Sequence, residues 1–415
     1  MLKKEWLSKI ENRKGFCFAL ILIYFEILYW VIMLCTNGAW LCSYFTAGIT
    51  DTSMDYFNML SNMQFDTPYV ANSNYPAMCF VIWKIMYSLL PKSISSLDGL
   101  TLRNYMPAQL GYILIMLVSV IVIWELLLSF KTGKELENKL LAVGLLLSGP
   151  LVFTVERGNI IILAFLFLLF FIRLYDSENK YLRIIAYICL ALSASIKIYP
   201  SLFGILILEK KRYKEAGIAV LLGILFFVLP FFVFDGIQSI KDMLNGIFMS
   251  SSAVLSDWGM GYNFSFNNFI RIVGRFLHIE VIEISSIFKI FSILYCLLLY
   301  FLTNKNWQKL FILSLLCIWI PAFSFTYMLI IFMIPFIFYL KEENNINTVL
   351  SYLYGILFII ILIPIALPNI DSWDIIMPLS FPTVVVNLAI VSISFLILLE
   401  SAKKRLIVRS QEDGV

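Results

Sequence analysis

The sequence is poor in charge and almost without histidine. Only 14% of its 415 residues are Asp, Glu, Lys or Arg, where a soluble domain carries about 25%. With 61% hydrophobic residues beside that deficit, a soluble core is excluded. No interior of this length hides so much apolar surface, so lipid must cover the rest. The one histidine, His278, rules out a multi-histidine metal site and argues against a serine–histidine or cysteine–histidine nucleophile. The seven cysteines, Cys17, Cys35, Cys42, Cys79, Cys189, Cys296 and Cys317, form no CxxC pair. Their scatter argues against a disulfide framework or a zinc site, and they read as small buried hydrophobes. Neither GxGxxG nor a Walker A sequence occurs, so no cytosolic nucleotide-binding domain is expected, and no nucleic-acid partner.

What the chain does have is a succession of apolar runs bounded by charges. They lie near 16–35, 107–130, 139–153, 159–174, 183–196, 200–209, 215–234, 281–302, 308–322, 324–340, 348–368 and 380–400. The pattern predicts an all-α polytopic membrane protein of about twelve transmembrane helices, one integral membrane domain over 1–415. Several runs fall short of the roughly 20 residues a straight crossing needs. The opening MLKKEWLSKIENRK is basic and too polar for the short leader of a signal peptide, and the run after it is long enough to stay as an anchor. With the N-terminus in the cytoplasm, the basic clusters at Lys131/Lys134/Lys139, Arg173/Lys180/Arg183, Lys210/Lys211/Arg212/Lys214, Lys305/Lys309 and Lys403/Lys404/Arg405/Arg409 all fall on one side, as the positive-inside rule requires. The agreement needs residues 76–90 not to cross. That stretch carries Lys84 between Pro76 and Pro91, and a lysine at mid-bilayer costs about 2.5–3.5 kcal/mol. It is expected as an amphipathic helix at the outer interface. The external face then holds a large loop at 36–106 and a second at 235–280, while the cytoplasmic loops are short. Both termini are placed in the cytoplasm and the chemistry outside.

Certain polar residues stand at the outer ends of these runs. Asp51 and Asp55 fall four apart in the first loop, one helical face, where two carboxylates repel unless a cation, a metal or a shared proton relieves them; a solvated loop pair is the alternative. Glu156-Arg157-Gly158-Asn159 joins two apolar runs, and an arginine and an amide at a helix start suit an anionic oxygen. An Arg157–Glu156 pair or a snorkelling arginine is the plainer account. Lys197, in Ser193-Ala-Ser195-Ile-Lys197-Ile-Tyr199-Pro200, lies on the side poor in basic residues, and a charge placed there at a cost is a functional candidate or else a snorkelling lysine. Tyr262-Asn263-Phe-Ser265-Phe-Asn267-Asn268 through Arg271 mixes amides, hydroxyls and rings suited to a sugar, or to an ordinary interface helix. Pro321-Ala-Phe-Ser324-Phe-Thr326-Tyr327 is a polar break at an outer end. Glu125 is near the cytoplasmic end of its run, and Glu26 lies deeper, paired or neutral, with no role assigned.

In order and spacing these pieces, with Asn74-Tyr75-Pro76 after Asp55, resemble the GT-C superfamily of membrane glycosyltransferases and, within it, glycosyltransferase family 87. Those enzymes include polyprenyl-phosphate-mannose-dependent mannosyltransferases. The Arg157-Gly158-Asn159 turn is similar to that of the glycosylphosphatidylinositol mannosyltransferase I family. The resemblance implies a GT-C-like bundle and an inverting transfer of a mannose-like hexose from a polyprenyl-phosphate donor to a lipid-linked glycan or glycolipid, at the outer face of a cell membrane. It implies Asp55 as general base with Asp51 as substitute, and Lys197 and Arg271 as contacts to the donor phosphate, joined by Arg157. Glu156, Asn159, Tyr199, Asn263, Ser265, Ser324 and Tyr327 are expected around the substrates. Family relatives often carry histidine after the Pro-x-Ser element, where this chain has Thr326 and Tyr327, which leaves sugar and acceptor open. The chemistry needs a base for the acceptor proton and cations for the departing phosphate. No cofactor is required, although Asp51 and Asp55 could hold a divalent cation. A polysaccharide polymerase or ligase, a lipid-linked sugar transporter or flippase, and a non-catalytic scaffold are the alternatives. A polymerase would call for arginine-rich external loops, and a transporter for internal repeats and mid-membrane charges.

Overall fold

The computed structural model describes residues 14–36, 52–65, 67–69, 73–256, 259–279, 285–343, 348–365 and 379–412. Each predicted apolar run is helical over most of its described residues, and among the described residues no strand forms; an isolated antiparallel bridge joins Asn263 and Phe325. The expected count of twelve crossings is not met by helix length. Among the described residues, four helices are long and apolar enough to cross a membrane: Lys14–Cys35, Met106–Ser129, Tyr213–Val233 and Phe381–Arg405. A fifth appears if the pair Glu135–Leu147 and Gly149–Arg157 is one span. The rest are shorter, such as the 14-residue Ile161–Leu174 and Val349–Leu362 helices, which reach only about 21 Å of a roughly 30 Å hydrocarbon layer.

The breaks have local causes. The predicted run 139–153 stops at Ser148, just before Gly149 and Pro150, and a new helix begins. Pro200 and Pro230 sit in the first positions of 3-10 turns, Tyr199–Gly204 and Leu229–Val233, where a missing N–H costs nothing. The run expected at 324–340 divides into a 3-10 turn, Thr326–Phe332, and a helix, Met333–Glu343. Residues 76–90 form the helix Ala77–Ser88 after Pro76. It buries Ala77, Cys79, Phe80 and Trp83 and exposes Lys84, whose ammonium sits 4.9 Å from the Phe234 ring centre.

The chain divides into two compact units, each assembled from separate segments. One comprises 1–44, 131–150 and 258–415. Its core is aromatic: Trp307 meets Tyr354 at 4.8 Å and Tyr339 at 5.4 Å between ring centres. The Lys14–Cys35 helix docks by setting Phe18 against Gly355, where a Cβ would fall 2.0 Å from the ring. Glu26 on that helix is buried. At the ends of these helices, Lys305 bridges Glu343 at 2.6 Å and Glu400 at 2.7 Å. Gln308 and Tyr354 also donate to Glu400. The six described cysteines form no disulfide with one another, and Cys42 lies outside the described residues.

The other unit comprises 45–130 and 151–257. Several of its basic residues are paired where helices end. Arg183 forks onto Glu215 at 2.9 and 2.7 Å, a bidentate geometry in which each N–H finds one oxygen. Asp176 accepts from Lys210 and Arg212. Asn179 caps the helix Lys180–Ile196 through the Tyr181 N–H, satisfying one of the amides a helix start leaves unpaired.

Candidate active site

The second unit brings the first-loop aspartate to the Arg-Gly-Asn turn. Ser53, in a left-handed conformation, sends its N–H to the Glu156 carbonyl at 2.7 Å. The helix Met54–Asn62 therefore starts against the end of the helix Gly149–Arg157. Asp55 falls in its first turn. One carboxylate oxygen accepts from Arg157 Nη2 at 2.5 Å and the other from Asn159 Nδ2 at 2.7 Å. The acid is 21% exposed and the arginine 13%, enough shielding to make the ion pair worth more than a surface pair.

Asn159 is fully buried and its amide is saturated. Its second N–H reaches the Tyr75 hydroxyl at 3.3 Å, and its Oδ1 accepts the Ile161 N–H as the next helix begins. Between Arg157 and Asn159, Gly158 has φ +66°, and a Cβ there would lie 2.8 Å from that of Tyr56. Only glycine accepts both the left-handed turn and the close approach. Beneath Asp55, Tyr56 packs on Phe57, Trp83 and Tyr112. Trp83 donates to the Tyr56 carbonyl, and the Tyr112 hydroxyl donates to the Val155 carbonyl.

Lys197 follows the helix Lys180–Ile196, and its ammonium lies 4.1 Å from the centre of the Tyr75 ring. The contact is a cation–π pair in a half-buried setting. Burial draws this ammonium below the usual lysine value of 10.5, against the opposing pull of Cys79 and Asp55. Cys79 donates its thiol to the Ile196 carbonyl at 3.1 Å. A narrow cleft is lined by Asp55, Met59, Tyr75, Cys79, Trp83 and Asn159 among others; its free interior, about 10 Å³, suits one water-sized group.

Asp55, Arg157, Asn159 and Lys197 are thus gathered in one place. Glu156 joins through its main-chain carbonyl. Tyr199, also expected there, opens a 3-10 turn and is half-buried, outside the cleft lining. Asp51 lies outside the described residues. Tyr75 enters the sequence pattern only within Asn74-Tyr75-Pro76, yet its ring and hydroxyl connect Lys197 to Asn159. Ser53, Trp83 and Tyr112 carry no sequence signal for their supporting roles. Among the described residues, no three His, Cys, Asp or Glu side chains gather as a metal site would require.

Asn263, Ser265, Arg271, Ser324 and Tyr327 belong to the first unit, where Asn263, Ser265 and Ser324 hold two of its segments to each other. Asn263 Oδ1 accepts the N–H of Ser265 and of Ser324, both at 3.0 Å, while its Nδ2 donates to the Ala322 carbonyl. Ser265 caps the helix Phe266–Leu277 and donates to the same carbonyl. Ser324 donates to the Ile318 carbonyl. Asn268 and Asn387 both donate to the Asn263 carbonyl. The amide of Asn263 is used up in folding these loops, a structural role that the composition alone does not distinguish from sugar contact. Arg271, half-buried on the same helix, donates to the Gly259 carbonyl. Tyr327 is half-buried and packs on Phe325.

The model of glycosyltransferase family 87 matches residues 99–364. The chain belongs to glycosyltransferase family 87. No curated protein and no solved structure is matched. Arg157, Asn159 and Lys197 lie inside the family match, whereas Asp55 precedes it. The two short hydrogen bonds to Asp55 therefore connect the family region to the first loop by geometry, independently of the family pattern.

Proposed function

We propose that the chain transfers a mannose-like hexose from a polyprenyl-phosphate donor to a lipid-linked glycan or glycolipid acceptor, with inversion and with Asp55 as general base. Family membership supplies glycosyl transfer, a sugar donor and a glycan acceptor in general. The observation that carries the finer reading is the carboxylate of Asp55, aimed into a cleft and held by Arg157 and Asn159.

Transfer is a single displacement at the anomeric carbon. The acceptor hydroxyl gives its proton to Asp55 as its oxygen bonds to the anomeric carbon. The carbon–oxygen bond to phosphate breaks from the opposite face, and the phosphate leaves with the electron pair. Lys197 and Arg157 would hold that growing negative charge. Arg157 serves twice. It keeps the carboxylate compensated in a half-buried place, and the donor phosphate competes for the same guanidinium. Drawing Arg157 toward phosphate leaves Asp55 as an uncompensated and stronger base, so base activation depends on donor binding. No metal is needed in this sequence of events. Asn263 and Ser265 are spent on shaping the loops of their own unit.

The site is assigned to the external face and both termini to the cytoplasm, on the strength of the one-sided basic clusters. The dozen crossings belong to the same proposal: the shorter apolar helices that continue through 3-10 turns complete membrane passages by pairing end to end.

The test uses purified protein, Asp55→Ala and Asp55→Asn, each offered a panel of radiolabelled polyprenyl-phosphate sugars with membrane lipid extract. Transfer by the parent and a drop of about 10²-fold or more in both variants, the usual weight of a general base, is expected. Equal transfer by Asp55→Asn would remove the base role, and no transfer from any donor would remove the donor class.

A further inference from the structure

One short segment of the second unit holds Lys197 at both ends. Cys79 donates its thiol to the carbonyl of Ile196, the residue before the lysine, at 3.1 Å. Tyr75 presents its ring to the ammonium at 4.1 Å. The lysine's own N–H returns to the Ser193 carbonyl at 2.9 Å and closes the preceding helix. Backbone and head group are thus both fixed, with the flexible stem between them. Tyr75 and Cys79 also line the cleft that contains Asp55, so the ammonium is kept at the edge of that cleft.

The ring is itself anchored. Tyr69 donates its hydroxyl to the Tyr75 carbonyl at 3.1 Å, and Pro76, next in the chain, sits at the start of the helix Ala77–Ser88. Phe80 packs edge-to-face with the Tyr75 ring at 6.5 Å between centres. The Tyr75 hydroxyl accepts from Asn159. Held at its carbonyl, ring and hydroxyl, the residue offers a fixed aromatic face.

Such a face stabilises a cation without bringing a negative charge. A carboxylate in its place would also hold the lysine, but an anionic ligand would then have to displace it. Asp55 is already matched by Arg157. Among these three charges, that of Lys197 is the one in excess. A lysine stem loses much rotamer freedom when its head group is fixed, and ordering it beforehand removes that cost from the binding step.

We propose that Tyr75 is a positioning residue of the transfer reaction, its ring holding the Lys197 ammonium in place for the donor phosphate. The inference rests on the phosphate contact of Lys197 named above. The ring carries the role; the hydroxyl, turned to Asn159, does not.

The test compares equilibrium binding of farnesyl phosphate and of farnesol to the full chain in detergent, where farnesol reports the lipid contacts alone. The parent should prefer the phosphate. Tyr75→Phe, which keeps the ring, should retain that preference. Tyr75→Leu, which keeps only apolar bulk, should lower it about three- to tenfold, the weight of a cation–π contact at a partly desolvated site, with farnesol binding unchanged. Lys197→Met should lose the preference, and adding Tyr75→Leu should then change it no further, because the ring acts through the ammonium. Four results overturn the role of Tyr75 while leaving Lys197 in place: an unaltered preference in Tyr75→Leu, an equal weakening of both ligands there, an equal loss in Tyr75→Phe, or a full Tyr75→Leu effect in the Lys197→Met background. A parent with no preference, or one whose preference survives in Lys197→Met, removes the phosphate contact at Lys197 itself and this inference with it.

Discussion

Two residues of the site are held in conditions that make them informative. Gly158 combines a left-handed backbone with a Cβ position 2.8 Å from Tyr56. Gly158→Ala should therefore cost at least the roughly 1–2 kcal/mol that a left-handed conformation costs an L-residue, and more if Tyr56 cannot give way. Because Arg157 and Asn159 flank the glycine, activity should fall further than the thermal midpoint suggests. Thermal unfolding in detergent beside donor turnover checks this, and an alanine variant as stable and active as the parent would refute the constraint. Lys197 offers a pH test. Burial lowers its value from the usual 10.5, so it loses its charge at a lower pH than an exposed lysine. If the charged form holds the donor phosphate, the donor KM should climb with rising pH before the ordinary lysine range is reached. Lys197→Arg keeps its charge throughout, since guanidinium stays protonated, and should flatten that climb. A parent KM that is flat to the ordinary lysine range would remove Lys197 from the phosphate site.

At the scale of elements, much of the helix pattern was legible and its interruptions were partly so. Apolar runs bounded by charge became helices because backbone groups in an apolar setting must pair internally. Where these runs stop short, Pro150, Pro200 and Pro230 stand at the breaks, although runs drawn by hydropathy alone pass through Pro150 and Pro230. The hydrogen bonds that make the site were not legible in the same way. Asp55 and Arg157 lie 102 residues apart, and no spacing rule links residues so distant. Asn263, Ser265 and Ser324 show the converse limit, for a run of amides and hydroxyls reads the same whether it binds sugar or folds a loop. The Lys305–Glu343–Glu400 cluster was equally hidden, and it makes an energetic prediction for the first unit. Glu343 is only 4% exposed. Lys305→Met would remove its ion-pair partner and leave Lys14 as its remaining cationic neighbour, so it should cost about 3 kcal/mol, the low end for a broken buried pair. Lys305→Met with Glu343→Gln should recover most of that loss. Thermal melts of the single and double variants form a cycle, and strict additivity would mean that the pair is not coupled.

For the whole molecule, the least local expectation is orientation, since it depends on charge summed over every loop. Lys92 and Glu178 are both exposed and belong to the same unit, on opposite sides of the membrane in the proposed topology. Lys92 follows the helix Ala77–Ser88 in the first external loop, and Glu178 lies in the basic turn between Ile161–Leu174 and Lys180–Ile196. In intact cells, a membrane-impermeant maleimide should label Lys92→Cys and spare Glu178→Cys, whose labelling should appear only after permeabilisation. Cys79, Cys189, Cys296 and Cys317 are buried but Cys35 is exposed, so both cysteines are introduced into Cys35→Ser, whose own labelling is the baseline. The opposite pattern would place the Asp55 cleft on the cytoplasmic side, where water-soluble nucleotide sugars are made. Both sites labelled in intact cells would mean that the helix Met106–Ser129 and its neighbours do not cross an odd number of times between them. The predicted pattern instead requires an odd number of crossings between residues 92 and 178. The helix Met106–Ser129 supplies one. The remaining crossings must then come out even, which the bent pair Glu135–Arg157 and the 14-residue Ile161–Leu174 helix achieve only if both cross or neither does.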